Sequence, residues 1–435
     1  MTENPTTDSL PTLPANAAVI SAATPGKPPS LRSALADPVL RVLASATLVA
    51  TVGRGVFLAL TVLYFTRFVG LTPLEVAVVL SVSSGVGVAT SYLGGWLADR
   101  FSARRLLAAL TAVEGSAIIM YSFAGTFSWV LAIACLAVGV NRAANSTRSA
   151  IIARAFDGPH RVSTRAVLRT ITNAGIAAGG MIAGLALLAG TAGAYRTLLI
   201  GAGAIYLLSS WRLLRLPARV DAPRHDRAAP KRVGRSPFRD RRYVLLTVLA
   251  GIFGMQFGLA EMGVPLWIAH HTSAPDVMIS AVLVINTVCV VLFQIPLSRN
   301  TDDPRRAGRV VLTAGALMAL ACLLYAVAGG ATVIVAVGLL AIAALLHTFA
   351  EIMSSAGTWG LSFELADQRQ AGAYQGLFGM GFSLGAMLSP LVVTATVIEH
   401  GVPGWAVLGA VFMLAATGIA VIGRHASKVG GLRTI

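Results

Sequence analysis

The chain has 435 residues, 56% of them hydrophobic and 12% charged, with 34 Lys and Arg against 18 Asp and Glu and a formal net charge of +16. Soluble domains carry about 25% charged residues, so this composition excludes an ordinary water-soluble domain and points to a membrane protein. The basic residues lie between apolar runs rather than on a polar domain interleaved with aromatics, which argues against a nucleic-acid partner.

Residues 1–38 are rich in Pro, Thr, Ala and Ser and lack periodicity, so a disordered cytoplasmic tail is expected there, with no secretory leader pattern. Apolar runs of about 20 residues, the length that crosses a hydrocarbon core of about 30 Å, then alternate with short polar turns. The predicted spans are 42–66, 73–97, 106–126, 129–152, 168–190 and 194–213, followed by 244–268, 277–298, 309–329, 331–355, 373–396 and 404–423. The expected fold class is an all-α integral membrane bundle of twelve transmembrane helices. It comprises an N-terminal six-helix half (39–213), a basic cytoplasmic linker (214–243), a C-terminal six-helix half (244–424) and a cytoplasmic tail (425–435). The linker includes Arg224, Arg227, Lys231 and Arg232 and reads as a solvated segment near anionic headgroups.

Topology follows from the basic residues. With the N-terminus inside, 29 Lys and Arg fall on tails, loops and helix edges of the cytoplasmic side and two, Arg67 and Arg196, on the outside. That bias sets both termini in the cytoplasm. Cys135, Cys289 and Cys322 sit in apolar segments without paired spacing, so neither a disulfide framework nor a metal site is indicated, and no cofactor is expected. The absence of a phosphate-binding loop sequence leaves ATP without an evident role as energy source.

Six helices plus six suggests a duplication. The turn after helix 2 ends in Arg104-Arg105 and the turn after helix 8 in Arg305-Arg306; helix 5 carries Gly175 and Gly179, helix 11 Gly381 and Gly385. Glycines four apart clear one helix face for a neighbouring backbone. At the first of these turns the residues resemble the major facilitator superfamily, whose signature runs Gly-x-Leu-Ala-Asp-Arg-x-Gly-Arg-Lys/Arg-Arg. Gly95, Leu97, Ala98, Asp99, Arg100, Arg104 and Arg105 match it, while Ser102 replaces the glycine and Ala103 a basic residue, so a less firmly locked turn is expected. Arg142 matches the family's mid-helix arginine on helix 4. Gly175, Gly179 and Gly180 keep the glycines of an antiporter-associated pattern on helix 5 but lack its proline. Glu351, Ala366, Tyr374, Gln375 and Gly376 are similar to prokaryotic members of efflux type. The resemblance covers roughly residues 40–424. It implies two pseudo-symmetric halves, a central cavity lined by helices 1, 4, 7 and 10, and a latch in which Asp99 and its arginines tie the N-terminal half to helix 11.

Ionisable groups inside spans are costly and mark candidate functional sites. Arg54, Arg142, Glu261 and Glu351 place one charge on each of helices 1, 4, 7 and 10, and Glu114 adds an acid on helix 3. Depth along the helices suggests that Glu114 meets Arg142. Glu261 has no basic neighbour predictable from sequence; since burial away from charge favours a neutral carboxyl, it is the leading proton-carrier candidate, with Glu351 next and His347 below both. The expected function is a non-enzymatic secondary transporter of the plasma membrane, with proton-coupled efflux of small, partly hydrophobic molecules as first reading. The alternatives are proton-coupled uptake of a small polar or anionic solute, with Arg54 binding it, and a sensor or assembly partner that no longer transports. Partners would be a small-molecule substrate, protons and the lipid bilayer, and a monomer is expected.

Overall fold

The computed structural model describes residues 36–222 and 236–431. The expected N-terminal tail up to residue 35, the basic run around Arg224, Arg227, Lys231 and Arg232, and residues 432–435 lie outside the described residues. Helices are α1 (Pro38–Val69), α2 (Pro73–Arg100), α3 (Ala103–Tyr121), α4 (Phe127–Ala155), α5 (Gly158–Ala189) and α6 (Ala192–Leu213). They continue with α7 (Arg241–His271), α8 (Val277–Leu297), α9 (Pro304–Ala328), α10 (Val333–Glu364) and α11 (Ala371–Val393, extended by a π-turn over Thr394–Ile398). The last helix, α12, belongs to Glu399–Gly431, beyond a break at Gly401, whose φ of 58° a β-carbon would strain.

Ten described segments are long and apolar enough to cross a membrane. The last of them, 60 residues from Gln368 to Ser427, holds both α11 and α12. The nineteen-residue α3 stands apart because it carries Arg104, Arg105 and Glu114. Counting both, the described residues hold twelve long helices. Exposed Leu74, Met181, Leu188 and Ile334 form the apolar exterior that hydrocarbon would cover.

Starts of these helices are written in local chemistry. Asp37 accepts from the Val39 amide at 2.7 Å ahead of Pro38, Thr72 and Glu75 form a reciprocal capping box, and Asp240 and Asp303 cap α7 and α9. Two helices overrun their expected ends. α5 begins at Gly158, ten residues before the apolar run, and α10 continues nine residues past it to Glu364. Each has 32 residues, about 48 Å at 1.5 Å per residue, so a turn or more projects beyond a hydrocarbon core of about 30 Å. Hydrophobicity marks where lipid begins, and the backbone hydrogen-bond ladder continues past it. α12 likewise runs on through residues expected to be tail.

The duplication is visible in packing. In the first half α1 crosses α5 so closely that a β-carbon on Gly179 would strike the carbonyl of Val52 and one on Gly175 the hydroxyl of Thr51. In the second half α7 crosses α11 with Gly381 against Thr247 and Gly385 against the carbonyl of Gly251. The same Thr-x-x-x-Gly face meets the same Gly-x-x-x-Gly face twice. Gly180, expected to belong to this packing set, has nothing within 4 Å of a β-carbon and is not part of the contact. Adjacent serines on α6 complete the first half, Ser209 donating to Ala46 O and Ser210 to Ala108 O, each at 2.8 Å.

A methyl group at position 179 has no room, whereas one at 180 does. Gly179→Ala is expected to cost about 1–3 kcal/mol by overpacking and to lower the thermal unfolding midpoint in detergent. Gly180→Ala should leave the midpoint unchanged or raise it slightly. Equal effects of the two substitutions would refute the packing account.

Candidate functional site

The two halves meet most tightly at the end of the bundle that carries the α2–α3 turn, here called the basic end. There α2 and α11 touch backbone to backbone. A β-carbon on Gly95 would collide with the carbonyl of Gly372, one on Gly372 with the carbonyl of Gly95, and one on Gly376 would lie 2.8 Å from the carbonyl of Tyr92. This approach puts the carboxylate of Asp99 on the first amides of α11: Gly372 donates at 2.8 Å and Ala373 at 2.6 Å. A helix N-terminus presents unpaired N–H groups and partial positive charge, so a carboxylate there gains both charge-assisted hydrogen bonds and dipole attraction. Arg154, from the end of α4, closes the group by pairing with Asp99 and donating to Ala98 O at 2.9 Å.

The expected latch is thereby redrawn. Asp99 reaches α11, but the arginines of its own turn do not accompany it. Arg100 lies 3.6 Å over the Trp96 ring, Arg104 pairs with Asp221 at 3.3 Å, and Arg105 is exposed. The cation beside Asp99 is Arg154, 55 residues away in the chain and outside the turn. Ser102 also departs from expectation. It caps α3 and donates to Asp221 at 2.9 Å, while Asp221 also takes the Arg104 amide at 3.2 Å. A hydrogen-bonded serine and the start of the central linker secure the turn where the glycine is missing. A further cross-half contact runs from Arg161 on α5 to Glu364 at the end of α10, at 3.5 Å.

Above this closed end lies a cavity of about 840 Å³ between the halves. Its lining reaches from Trp359 and Arg165 near the basic end to Ile268 and Ile279, within a turn of the α7–α8 connection at the opposite end. The α7–α8 wall is largely apolar, with Phe257, Val264 and Leu283, whereas the α4–α5 wall is cationic. Arg142, Arg148, Arg165 and Arg169 all face the cavity, against the two acids Glu261 and Glu351.

These six charges are unequally matched. Glu351 is buried and pairs with Arg169 across the halves, and it accepts from Asn286 on α8 at 2.8 Å. Arg165 lies 3.6 Å over the Trp359 ring and donates to Ser149 at 3.2 Å. Arg148 donates to Asn145 at 3.2 Å, and its buried Nε has no hydrogen-bond partner. Arg142 makes no hydrogen bond or ion pair with any described residue; it faces Glu261 and Arg54 electrostatically. Glu261 is side-chain exposed within the cavity and sits in a π-turn, Leu259–Gly263, four residues before Pro265. Pro265 withdraws the amide that would bond the carbonyl of Glu261, which opens the helix where the acid projects.

Of the five charges singled out from sequence, Arg142, Glu261 and Glu351 line the cavity and Arg54 and Glu114 do not. Glu114 is buried behind the wall and accepts from Asn141 at 2.7 Å, not from Arg142; the cations facing it are Arg54 and Arg148. Its partner is Asn141, the residue before Arg142 on α4, so equal depth did not produce the expected pair. Glu261, expected to lack basic neighbours, faces Arg54 and Arg142. Arg165 falls outside the expected span 168–190, and Arg169 falls at its edge, where it counts toward topology rather than the cavity, because α5 starts at Gly158. The start was readable: Asp157-Gly158-Pro159 has the cap-then-proline form of a helix N-terminus, and it places both arginines one turn apart on one face.

Comparison with known proteins follows the same lines. The family model described as Major Facilitator Superfamily matches residues 43–390. Among curated proteins, the chain is 26% identical over 356 residues to the "Probable sulfoacetate transporter SauU" of Cupriavidus necator, covering 74% of this chain and 78% of that protein. Among solved structures it resembles a bacterial homologue of the iron transporter ferroportin in an outward-facing state, with TM-score 0.71 and 13% identity over 90% of this chain and 100% of that one. It also resembles the human organic anion transporter MFSD10, with TM-score 0.65 and 14% identity over 88% and 98%. At these identities the solved structures speak for the fold alone.

The Arg169–Glu351 pair generates a direct test. Removing one partner of a buried pair costs about 3–5 kcal/mol because it strands the other. Arg169→Gln or Glu351→Gln alone should therefore lower the unfolding midpoint markedly, and the double substitution should recover most of the loss. Strictly additive losses would contradict the pairing.

Proposed function

The chain belongs to the Major Facilitator Superfamily, and from that premise we propose that it is a secondary transporter that carries a small organic anion into the cell with a proton. The observation that carries this reading is the cavity charge: four arginines face two glutamates, and three of the four have no carboxylate within ion-pair distance. Uncompensated cations at membrane depth are costly, and an anionic solute is the natural counter-charge. The sulfoacetate named for the relative in Cupriavidus necator is such a solute.

Orientation follows from the basic residues. The basic end is taken as cytoplasmic, with both termini on that side of the plasma membrane. The structure, closed there and with a cavity that reaches the opposite end, then corresponds to an outward-facing stage of alternating access. The glycines that suggested export, Gly175 and Gly179, are accounted for by the α1–α5 crossing, and the charged wall suits an anion better than a hydrophobic compound.

Coupling arises from electrostatics. Glu261 and a substrate anion compete for the field of Arg142. Protonating Glu261 leaves that field to the anion, so proton and anion each strengthen the other's binding, as linkage requires. When the cavity next faces the cytoplasm, loss of the proton restores the Glu261 charge and weakens the anion's hold. Arg169 and Glu351 bridge the halves and would part and re-form as the halves rock.

Proteoliposomes with an inward proton gradient should accumulate labelled sulfoacetate, and a protonophore should abolish the accumulation. Glu261→Gln should retain counterflow exchange but lose concentrative uptake, while Arg165→Gln should lose both. Concentrative uptake by the Glu261→Gln protein would remove Glu261 from coupling. Extrusion driven by the opposite gradient would overturn the uptake direction.

A further inference from the structure

We infer that the cavity holds two separate anion seats and selects short organic dianions over monoanions. The inference rests on the anion-transport reading and assigns the substrate class within it.

The first observation is a count. With Glu261 protonated, as in the state that binds the anion, and Glu351 ionised, the four lining arginines leave a net charge of +3. The charges directly behind the wall do not alter this, because Arg54 and Glu114 cancel each other. A monoanion then leaves two cations uncompensated in a site of low dielectric and a dianion only one, so the dianion is the better match.

The second observation is how the free charge is distributed. Glu351 occupies Arg169, so the lining cations without an ion pair among the described residues are Arg142, Arg148 and Arg165, with Arg148 facing Glu114 beyond ion-pair distance. They fall at two levels. Arg148 and Arg165 form the lower level: Ser149 receives Arg165 from the side, Trp359 backs it at 3.6 Å, and the buried Nε of Arg148 lacks a partner. Stacking on an aromatic face fixes a guanidinium plane while leaving its edge N–H groups free to fork onto an oxyanion. Arg142 forms the upper level alone, with no hydrogen bond to any described residue. It lies six residues before Arg148 on α4, about 9 Å along the axis. Flexible guanidinium arms span that interval when each reaches toward the middle, which leaves room for two anionic groups joined by a short carbon chain. A single carboxylate or sulfonate fills one level and leaves the other empty. On the α7–α8 wall, Phe257, Val264 and Leu283 offer the connecting carbons an apolar surface.

The test is equilibrium binding to the purified full-length protein in nanodiscs at fixed ionic strength. Probes are the dianions malonate, succinate and sulfoacetate and the monoanions acetate and methanesulfonate. Dianions should bind at least about tenfold more tightly than monoanions, the value of one further modest ion contact. Arg142→Gln should abolish the dianion preference, weakening dianions at least about tenfold more than monoanions; Arg142→Lys, which keeps the charge, should restore part of the preference. Arg165→Gln should weaken both classes. An unchanged unfolding midpoint identifies variants that fold. Monoanions binding as tightly as dianions, or Arg142→Gln weakening both classes equally, would overturn the two-seat inference and leave anion transport standing. Absence of binding and transport for every anion would overturn both.

Discussion

Much of this architecture rests on one contact: the carboxylate of Asp99, on α2, seated on the first amides of α11. It joins the two halves of the duplicated chain at the basic end and shuts the cavity there. The contact exists because Gly95, Gly372 and Gly376 let two helix backbones meet, so that a short aspartate can reach a helix end. Charge-assisted hydrogen bonds contribute about 1.5–3 kcal/mol each, and the helix dipole adds up to about 2 kcal/mol in partly buried geometry. A total of several kcal/mol, shared with Arg154 and with the Arg161–Glu364 contact, suits a gate. It holds one conformation while staying within the range that substrate and proton binding can offset.

The second constraint is the expense of charge at membrane depth. The chain meets it in three ways. Glu114 is resolved locally by Asn141, and Glu351 is resolved across the halves by Arg169 and Asn286. Arg142, Arg148 and Arg165 have no acid in ion-pair range and face the cavity instead. Charges of the first kind hold a half together, those of the second tie the halves, and those of the third await a ligand. The break of α7 at Glu261 belongs with the third, because a π-turn and Pro265 give the acid a freedom that a regular helix would deny.

The sequence was most legible where physics is local. Apolar runs gave the helical membrane bundle, and the Gly95–Arg105 turn pointed to the family whose model matches residues 43–390. It was least legible where partners are chosen by three-dimensional packing. Arg169 and Glu351 are 182 residues apart, and nothing in their spacing announces the pair. Arg154 resembled one more cytoplasmic arginine until α4 brought it beside Asp99. Glu114 and Arg142 lie at similar depth, yet depth along a helix does not fix the direction in which a side chain points. The α5 part of the cationic wall was hidden for a simpler reason: the first turns of α5 are polar and lie outside the apolar run, although Pro159 and an aspartate at the N-cap position mark a helix start.

The most direct test of the account is a distance across the basic end. Spin labels placed at the exposed positions Arg105 and Arg299, in the first and second halves and in a background without the native cysteines, report the separation of the halves by pulsed electron resonance. The unmodified gate should give one short, narrow distance distribution, and Asp99→Asn should add a longer population as the amides of α11 lose their counter-charge. An identical distribution in both proteins would show that Asp99 does not hold the gate, and the account would fail at its centre.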